Sequence, residues 1–177
     1  RLGAPAALRE LERRVRASSL AGALTANRSF GAGGASHEAL FLHLHLDRSA
    51  PWLRRRLLSL AVQADRLAGW NLSAQGAELT ARCLELIHYR AGRAAEPVAW
   101  HGDGATAVTM VAMLSASGSY AGGEVELSEG GVLERHGGLR PGDVLAWRGW
   151  TYHRAAPVTR GRRKVLAVEW WWGEDCA

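Results

Sequence analysis

The 177-residue chain has few cysteines, a single lysine and no long apolar run. Its two cysteines, Cys83 and Cys176, cannot build a disulfide framework and lack the spacing of a zinc site. No segment approaches the roughly 18 consecutive apolar residues that a membrane-spanning helix needs. No stretch is polar enough to predict a long disordered tail. These absences point to one folded domain, and a chain of this length buries a substantial core.

The basic charge is carried almost entirely by arginine. The formal net charge is +5 and the pI is about 10.0, values that alone would suggest nucleic-acid binding. Lys164 is the only lysine, however, and the arginines are scattered along the chain. With the many alanines and glycines, this usage is typical of a GC-rich gene. We therefore expect no nucleic-acid partner.

The chain begins with Arg1 rather than methionine, so we expect a processed form or a catalytic domain cut from a longer protein. No secretory signal peptide is recognisable in the sequence. The compartment and the oligomeric state therefore stay open.

Hydrophobic periodicity divides the chain into a helical first part and a strand-rich second part. Over residues 1–78 we expect mainly supporting helices, one after Pro5 and another from Pro51 to about Ala68. A strand is predicted there at 41–46, after a flexible loop at 31–36. Over 79–177, short apolar runs alternate with glycine-rich turns, as in a β-sandwich or barrel. The expected fold class is α+β, with helices packed on a β-sandwich in one domain spanning 1–177.

Three side chains have the spacing of a metal site. His101 and Asp103 are two residues apart, so on an extended segment they point to the same side. His153 follows from a later strand. Two imidazoles and one carboxylate on one face of an ion leave its other positions open, as in the facial triad of non-haem Fe(II) oxygenases. Alone, these three residues are weak evidence for a metal site, because ordinary polar residues at strand ends could have the same spacing.

The surrounding motifs are more specific than the trio itself. A Tyr-x-x-Gly segment lies at 89–92, Gly-Gly-Glu at 122–124 and Pro-Gly-Asp at 141–143. His153 is followed by Pro-Val-Thr-x-Gly-x-Arg, which ends at Arg163. In this order and spacing, residues 84–172 resemble the prolyl-4-hydroxylase-like branch of the Fe(II)/2-oxoglutarate-dependent dioxygenases.

The resemblance implies a double-stranded β-helix, which is a jelly-roll relative, and a set of site residues. His101, Asp103 and His153 would be the catalytic iron ligands. Arg163 would bind the distal carboxylate of 2-oxoglutarate, and Tyr89 would donate a hydrogen bond to the same co-substrate. The expected cofactors are Fe(II), 2-oxoglutarate, O₂ and ascorbate.

The implied reaction is hydroxylation of an unactivated C–H bond, with release of succinate and CO₂. The expected substrate is a prolyl or lysyl side chain of a peptide or protein. Related halogenases lack the carboxylate ligand, so the presence of Asp103 favours hydroxylation. Two alternatives remain: the same chemistry on a small molecule, or a non-catalytic jelly-roll binding module.

The chain departs from the family pattern at Met113, where many relatives carry a tyrosine that helps to bind 2-oxoglutarate. The co-substrate pocket is expected to be less polar there, and Thr109 or Thr159 could compensate. The neighbour of Arg163, Arg162, leaves an assignment shifted by one residue open. Tyr89 could also be a buried aromatic residue with a satisfied hydroxyl group.

A second metal-like pattern, His43, His45 and Asp47, lacks a third supporting segment. We interpret it as the polar face of the strand predicted at 41–46.

Overall fold

The computed structural model describes residues 2, 6, 9–10, 13, 24–28, 35–42, 50–73, 78–92 and 98–174. Its long helix is α1 (Pro51–Ala68). The strands are β1 (Leu24–Arg28), β2 (Ala35–Phe41), β3 (Thr80–Arg90), β4 (Val108–Met113), β5 (Tyr120–Gly122), β6 (Val125–Glu129), β7 (Val132–His136), β8 (Val144–Arg148), β9 (Tyr152–Ala155) and β10 (Val158–Trp171).

The strands pair antiparallel in two sheets. The larger sheet has the order β1-β2-β3-β10-β4-β8, with β5 paired to another part of β10, and the smaller has the order β7-β6-β9. The two sheets meet where Val111 of β4 packs with Val125 and Leu127 of β6. This arrangement confirms the expected α+β class and is consistent with a jelly roll.

Alternation along the central strands gives the larger sheet two different faces. One face contributes Leu84, Met110 and Leu166 to the main apolar core, together with Leu53 and Leu57 of α1. The residues of opposite parity on β3, β4 and β10 line a cavity on the other face, away from that core. The helix thus covers one side of the sheet and leaves the other side for a site.

Helix α1 has the boundaries that its sequence predicts. Pro51 occupies the first turn, where its missing N–H is not needed, and Gly69 ends the helix with φ 68°. Leu53 and Leu57, which lie four residues apart on its apolar stripe, are fully buried. No helix in the described ranges is long and apolar enough to cross a membrane.

The region expected to be mainly helical also contains two strands. β2 covers Ala35–Phe41, so the loop prediction at 31–36 extends into β2. Of the strand predicted at 41–46, Phe41 belongs to β2, and Leu42 still donates a hydrogen bond to Leu84 of β3, whereas 43–46 lie outside the described residues. His43, His45 and Asp47 lie outside the described residues.

Candidate metal centre and its cavity

Backbone pairing brings together the three predicted ligands. The N–H of His101 donates to the carbonyl of His153 at 3.1 Å, and the N–H of His153 donates to that of His101 at 2.8 Å. The N–H of Asp103 donates to the carbonyl of Gly149, between β8 and β9, at 2.8 Å. The segment before β4 is thus hydrogen-bonded to β9 at His101 and to the turn before β9 at Asp103.

The side chains of the trio converge on one point. His101 Nε2 lies 3.7 Å from Asp103 Oδ1, and His153 Nε2 lies 3.5 Å from Asp103 Oδ2. The candidate ligand atoms all lie within 4.8 Å of one another. This is the only such group of three or more in the parts of the chain that the structure describes.

Both imidazoles present Nε2 to this point because Nδ1 is occupied. Nδ1 of His101 lies 2.8 Å from the carbonyl of Ala99, and Nδ1 of His153 lies 2.9 Å from that of Thr151. A carbonyl oxygen can only accept, so each Nδ1 carries the proton and each Nε2 has a free lone pair. Burial lowers the pKa of His153, although Asp103 opposes this, which favours the neutral form that binds metals.

Two neighbours hold the ligands in position. The hydroxyl of Thr109 donates to Oδ2 of Asp103. The ring of Trp147 packs against His153 with a centroid distance of 4.9 Å. Such outer contacts fix the orientation of metal ligands.

Arg163 lies at the other end of the same cavity. It is only 2% exposed, and its Nε has no hydrogen-bond partner among the described residues. Its side chain runs past Gly123, where an added Cβ would lie 2.7 Å from Arg163 Cδ. The Gly-Gly-Glu motif therefore leaves space for the side chain of Arg163. Its neighbour Arg162, the alternative for the co-substrate residue, is exposed.

Tyr89 is the direct cross-strand neighbour of Arg163. The guanidinium carbon lies 5.0 Å from the centre of the tyrosine ring. Burial raises the pKa of the Tyr89 hydroxyl against the opposing charge of Arg163, so it keeps its proton and can donate a hydrogen bond. The structure therefore places both predicted co-substrate residues side by side.

His37 is a cavity residue that the sequence did not predict. It lies on β2 and lines the cavity, with its ring centroid 5.2 Å from that of Tyr89. Burial lowers its pKa to about 4, assisted by His101, so it is neutral near neutral pH. Nothing in the sequence around His37 indicates a functional role, because the residue is distant from every motif. Only the pairing of β2 with β3 brings it to the cavity.

Two acidic side chains that the sequence did not predict, Glu85 and Glu169, lie in the wall of this cavity of about 520 Å³. Glu169 forms an ion pair with Arg82 and accepts a hydrogen bond from Thr106 at 3.2 Å. Oε1 of Glu85 accepts one from the thiol of Cys83 at 3.3 Å. Burial raises the pKa of both carboxyl groups, and Asp103 shifts both in the same direction.

Met113 is not among the residues that line the cavity. It is buried with Ile87 and Val165, and the hydroxyl of Tyr120 lies 3.6 Å from its sulfur. Thr159 is exposed, and Thr109 is engaged with Asp103. Neither threonine therefore takes the place of the family tyrosine beside Arg163.

The sequence matches no protein-family model and no curated protein, but the fold has many relatives among solved structures. A Pseudomonas putida prolyl-4-hydroxylase aligns with TM-score 0.67 and 15% identity over 98% of this chain and 90% of its own. A Trichoplax adhaerens prolyl hydroxylase, solved with a peptide fragment of hypoxia inducible factor, aligns with TM-score 0.59 and 12% identity over 94% and 76%.

A third relative comes from nogalamycin biosynthesis. The non-haem α-ketoglutarate-dependent carbocyclase of nogalamycin biosynthesis aligns with TM-score 0.63 and 17% identity over 94% of this chain and 74% of its own. The chain therefore has the fold of prolyl-4-hydroxylase and other 2-oxoglutarate–Fe(II) oxygenase structures.

Proposed function

We propose that this chain is a single-domain Fe(II)- and 2-oxoglutarate-dependent oxygenase that hydroxylates an unactivated C–H bond. The observation that carries the proposal is the shared cavity of the His101–Asp103–His153 trio and the buried Arg163, whose Nε lacks a partner in the described structure. A buried guanidinium with an unsatisfied Nε points to an anionic ligand, because leaving such an N–H group unpaired is costly.

The donor set fits a divalent iron. Two imidazole Nε2 atoms and one carboxylate converge, with both Nδ1 protons engaged elsewhere, and this combination leaves coordination positions for other ligands. Asp103 neutralises one of the two metal charges, so the centre would still attract an anion. Bound Fe(II) would supply the O₂ activation that these side chains cannot provide.

Arg163 and Tyr89 are proposed to hold the distal carboxylate of 2-oxoglutarate. A guanidinium keeps its charge when buried and matches a carboxylate with paired hydrogen bonds. Arg163 and the three residues of the trio line the same cavity. An extended dicarboxylate could therefore lie between Arg163 and the trio.

The reaction is balanced by one co-substrate molecule per turnover. One oxygen atom of O₂ enters the C–H bond as a hydroxyl group, and the other enters the succinate that 2-oxoglutarate yields with CO₂. Trp147 shields one side of the buried His153 and limits the access of water there, whereas His101 is exposed.

The proposed substrate is a prolyl or lysyl side chain of a peptide. The support is the similarity in fold to two prolyl hydroxylases, one of them solved with a peptide. The second candidate is a small molecule, which the similarity to a biosynthetic carbocyclase favours. A binding module without catalysis is less consistent with the geometry, because the departure at Met113 lies outside the cavity.

The test is a substrate screen by mass spectrometry. Iron-loaded protein is incubated with 2-oxoglutarate, O₂ and sets of proline peptides, lysine peptides or small molecules, with and without ascorbate. We expect one set to gain the mass of a single oxygen atom, together with succinate, and the Asp103→Ala variant to give neither. Binding of 2-oxoglutarate that leads to no succinate with any set would contradict the catalytic proposal.

A further inference from the structure

The carboxyl group of Glu85 lines the cavity and has no cationic partner among the described residues. Its side chain lies on the same face of β3 as Tyr89 and is partly buried. The one hydrogen bond it receives in the described structure comes from the thiol of Cys83. Burial raises the pKa of that thiol, so Cys83 remains a weak neutral donor.

The other two carboxylates of the cavity are already compensated. Glu169 pairs with Arg82 and accepts from Thr106. Asp103 accepts from Thr109 and faces the two imidazoles of the candidate metal centre. Glu85 is therefore the cavity carboxylate whose charge no described side chain offsets.

The immediate neighbours of Glu85 cannot solvate it. Its cross-strand partner on β10 is Ala167, which in turn faces Val111 of β4. Ile87 follows on the same face of β3. A carboxylate among alanine, valine and isoleucine side chains gains little stabilisation from them, and a cation that enters the cavity would offset its charge.

A second observation indicates that the cavity has separate positions for an anion and a cation. Arg163 is 2% exposed, and its Nε has no partner among the described residues. Glu85 lies four residues from Tyr89 along β3, which is about 13 Å by the rise of a strand. An anion beside Arg163 and a cation beside Glu85 would therefore not compete for the same space.

We propose that Glu85 binds a protonated amino group of the substrate, so that the enzyme acts on a compound with an alkylammonium chain. This inference rests on the proposed oxygenase function and specifies its substrate class. The ammonium group at Glu85 would fix the aliphatic chain in the cavity and present one of its C–H bonds to the metal centre. A lysyl side chain of a peptide and a small alkylamine share this chemistry.

The test compares pairs of ligands that differ in one group. One pair is Nα-acetyl-lysine amide and the analogue with a methyl group in place of the ammonium, and the other pair is a peptide with the same two side chains. Binding is measured by calorimetry and NMR on the protein loaded with Mn(II) and 2-oxoglutarate without O₂, and again on the metal-free protein. Succinate formation is measured separately with Fe(II).

Three proteins are compared: the wild type, Glu85→Gln and Glu78→Gln, the last carrying the same change at an exposed position. We expect the wild type and Glu78→Gln to bind the ammonium ligand at least about tenfold more tightly than the methyl analogue. In Glu85→Gln the ratio should fall to within about twofold. The pair with the higher wild-type affinity identifies the source as peptide or small molecule.

An equal affinity of the wild type for both ligands would overturn the proposal, as would a preference that survives in Glu85→Gln. A wild type that binds neither Mn(II) nor 2-oxoglutarate would instead overturn the oxygenase function. The measurement on the metal-free protein would then still decide whether Glu85 recognises an ammonium group.

Discussion

His101 and His153 donate backbone hydrogen bonds to each other's carbonyl oxygens, although one precedes β4 and the other lies within β9. Their rings lie 4.3 Å apart between centroids. This backbone-bonded pair fixes the separation of two candidate ligands before any ion is present. The metal would therefore enter a site whose ligands need little reorganisation.

Thr109 is expected to tune metal affinity through Asp103. The Thr109→Val variant removes the hydroxyl that donates to Oδ2 of Asp103 and leaves the shape of the side chain nearly unchanged. We expect Mn(II) or Fe(II) to bind about 10–100-fold more weakly, since this is the usual effect of losing an outer-shell contact. Calorimetric titration under anaerobic conditions measures the change.

Thr109→Ser is the matched control, because it keeps the hydroxyl and loses the methyl group. Its metal affinity should stay close to that of the wild type. An affinity of Thr109→Val within about twofold of the wild type would show that this contact does not orient Asp103.

Arg163 and its neighbour should differ sharply in their effect on co-substrate use. Arg163→Ala removes a buried guanidinium from the cavity, whereas Arg162→Ala removes an exposed one. We expect Arg163→Ala to raise the KM for 2-oxoglutarate by more than about tenfold, with metal affinity retained. Arg162→Ala should leave the KM unchanged, and the reverse result would move the assignment by one residue.

Gly123 is expected to be necessary for the position of Arg163. Its φ is +70°, and an added Cβ would lie 2.7 Å from Arg163 Cδ and 2.9 Å from Val158 Cγ2. Gly138 has a similar φ of +68° but nothing within 4 Å of its added Cβ. Both alanine variants lose about 1–2 kcal/mol through backbone strain, and crowding costs Gly123→Ala about 1–3 kcal/mol more.

Urea unfolding of the two variants separates crowding from strain. Gly123→Ala should also bind 2-oxoglutarate more weakly, because the side chain of Arg163 must move. Equal losses of stability in the two variants, with co-substrate affinity intact, would exclude a close fit between Gly123 and Arg163.

His37 should contribute to acid sensitivity. Burial lowers its pKa from 6.5 to about 4, so between these pH values the unfolded chain takes up a proton that the folded chain does not. The contribution of His37 to the free energy of unfolding is therefore fully present above pH 6.5. It falls as the pH approaches 4, by about 3 kcal/mol at most. Urea unfolding at several pH values should show a smaller acid loss in His37→Asn, and an unchanged pH profile would contradict this role.

The sequence predicts best where function and local pattern coincide. The motifs around His101, Asp103, His153 and Arg163 have fixed spacings, and the structure brings these residues into one cavity. Helix α1 follows from an apolar stripe between Pro51 and Gly69. Local rules of periodicity and capping are sufficient for such features.

The remainder depends on contacts between distant segments. His37 reaches the cavity because β2 pairs with β3, a register that no local pattern specifies. The acidic side chains of the cavity wall were not predicted because Glu85 and Glu169 lie in predominantly apolar strands. In such a strand, only an odd or even position in the sequence decides which face of the sheet a side chain is on. Their opposite parity to the core leucines was the signal available in the sequence.

The most direct test of the central claim is the iron-dependent conversion of 2-oxoglutarate to succinate. Purified protein is loaded with Fe(II), supplied with 2-oxoglutarate and O₂, and compared with Asp103→Ala and with metal-chelated wild type. We expect succinate and CO₂ in equal amounts from the wild type, with both increased by substrate, and none from the two controls. An iron-saturated wild type that neither binds nor converts 2-oxoglutarate would contradict it.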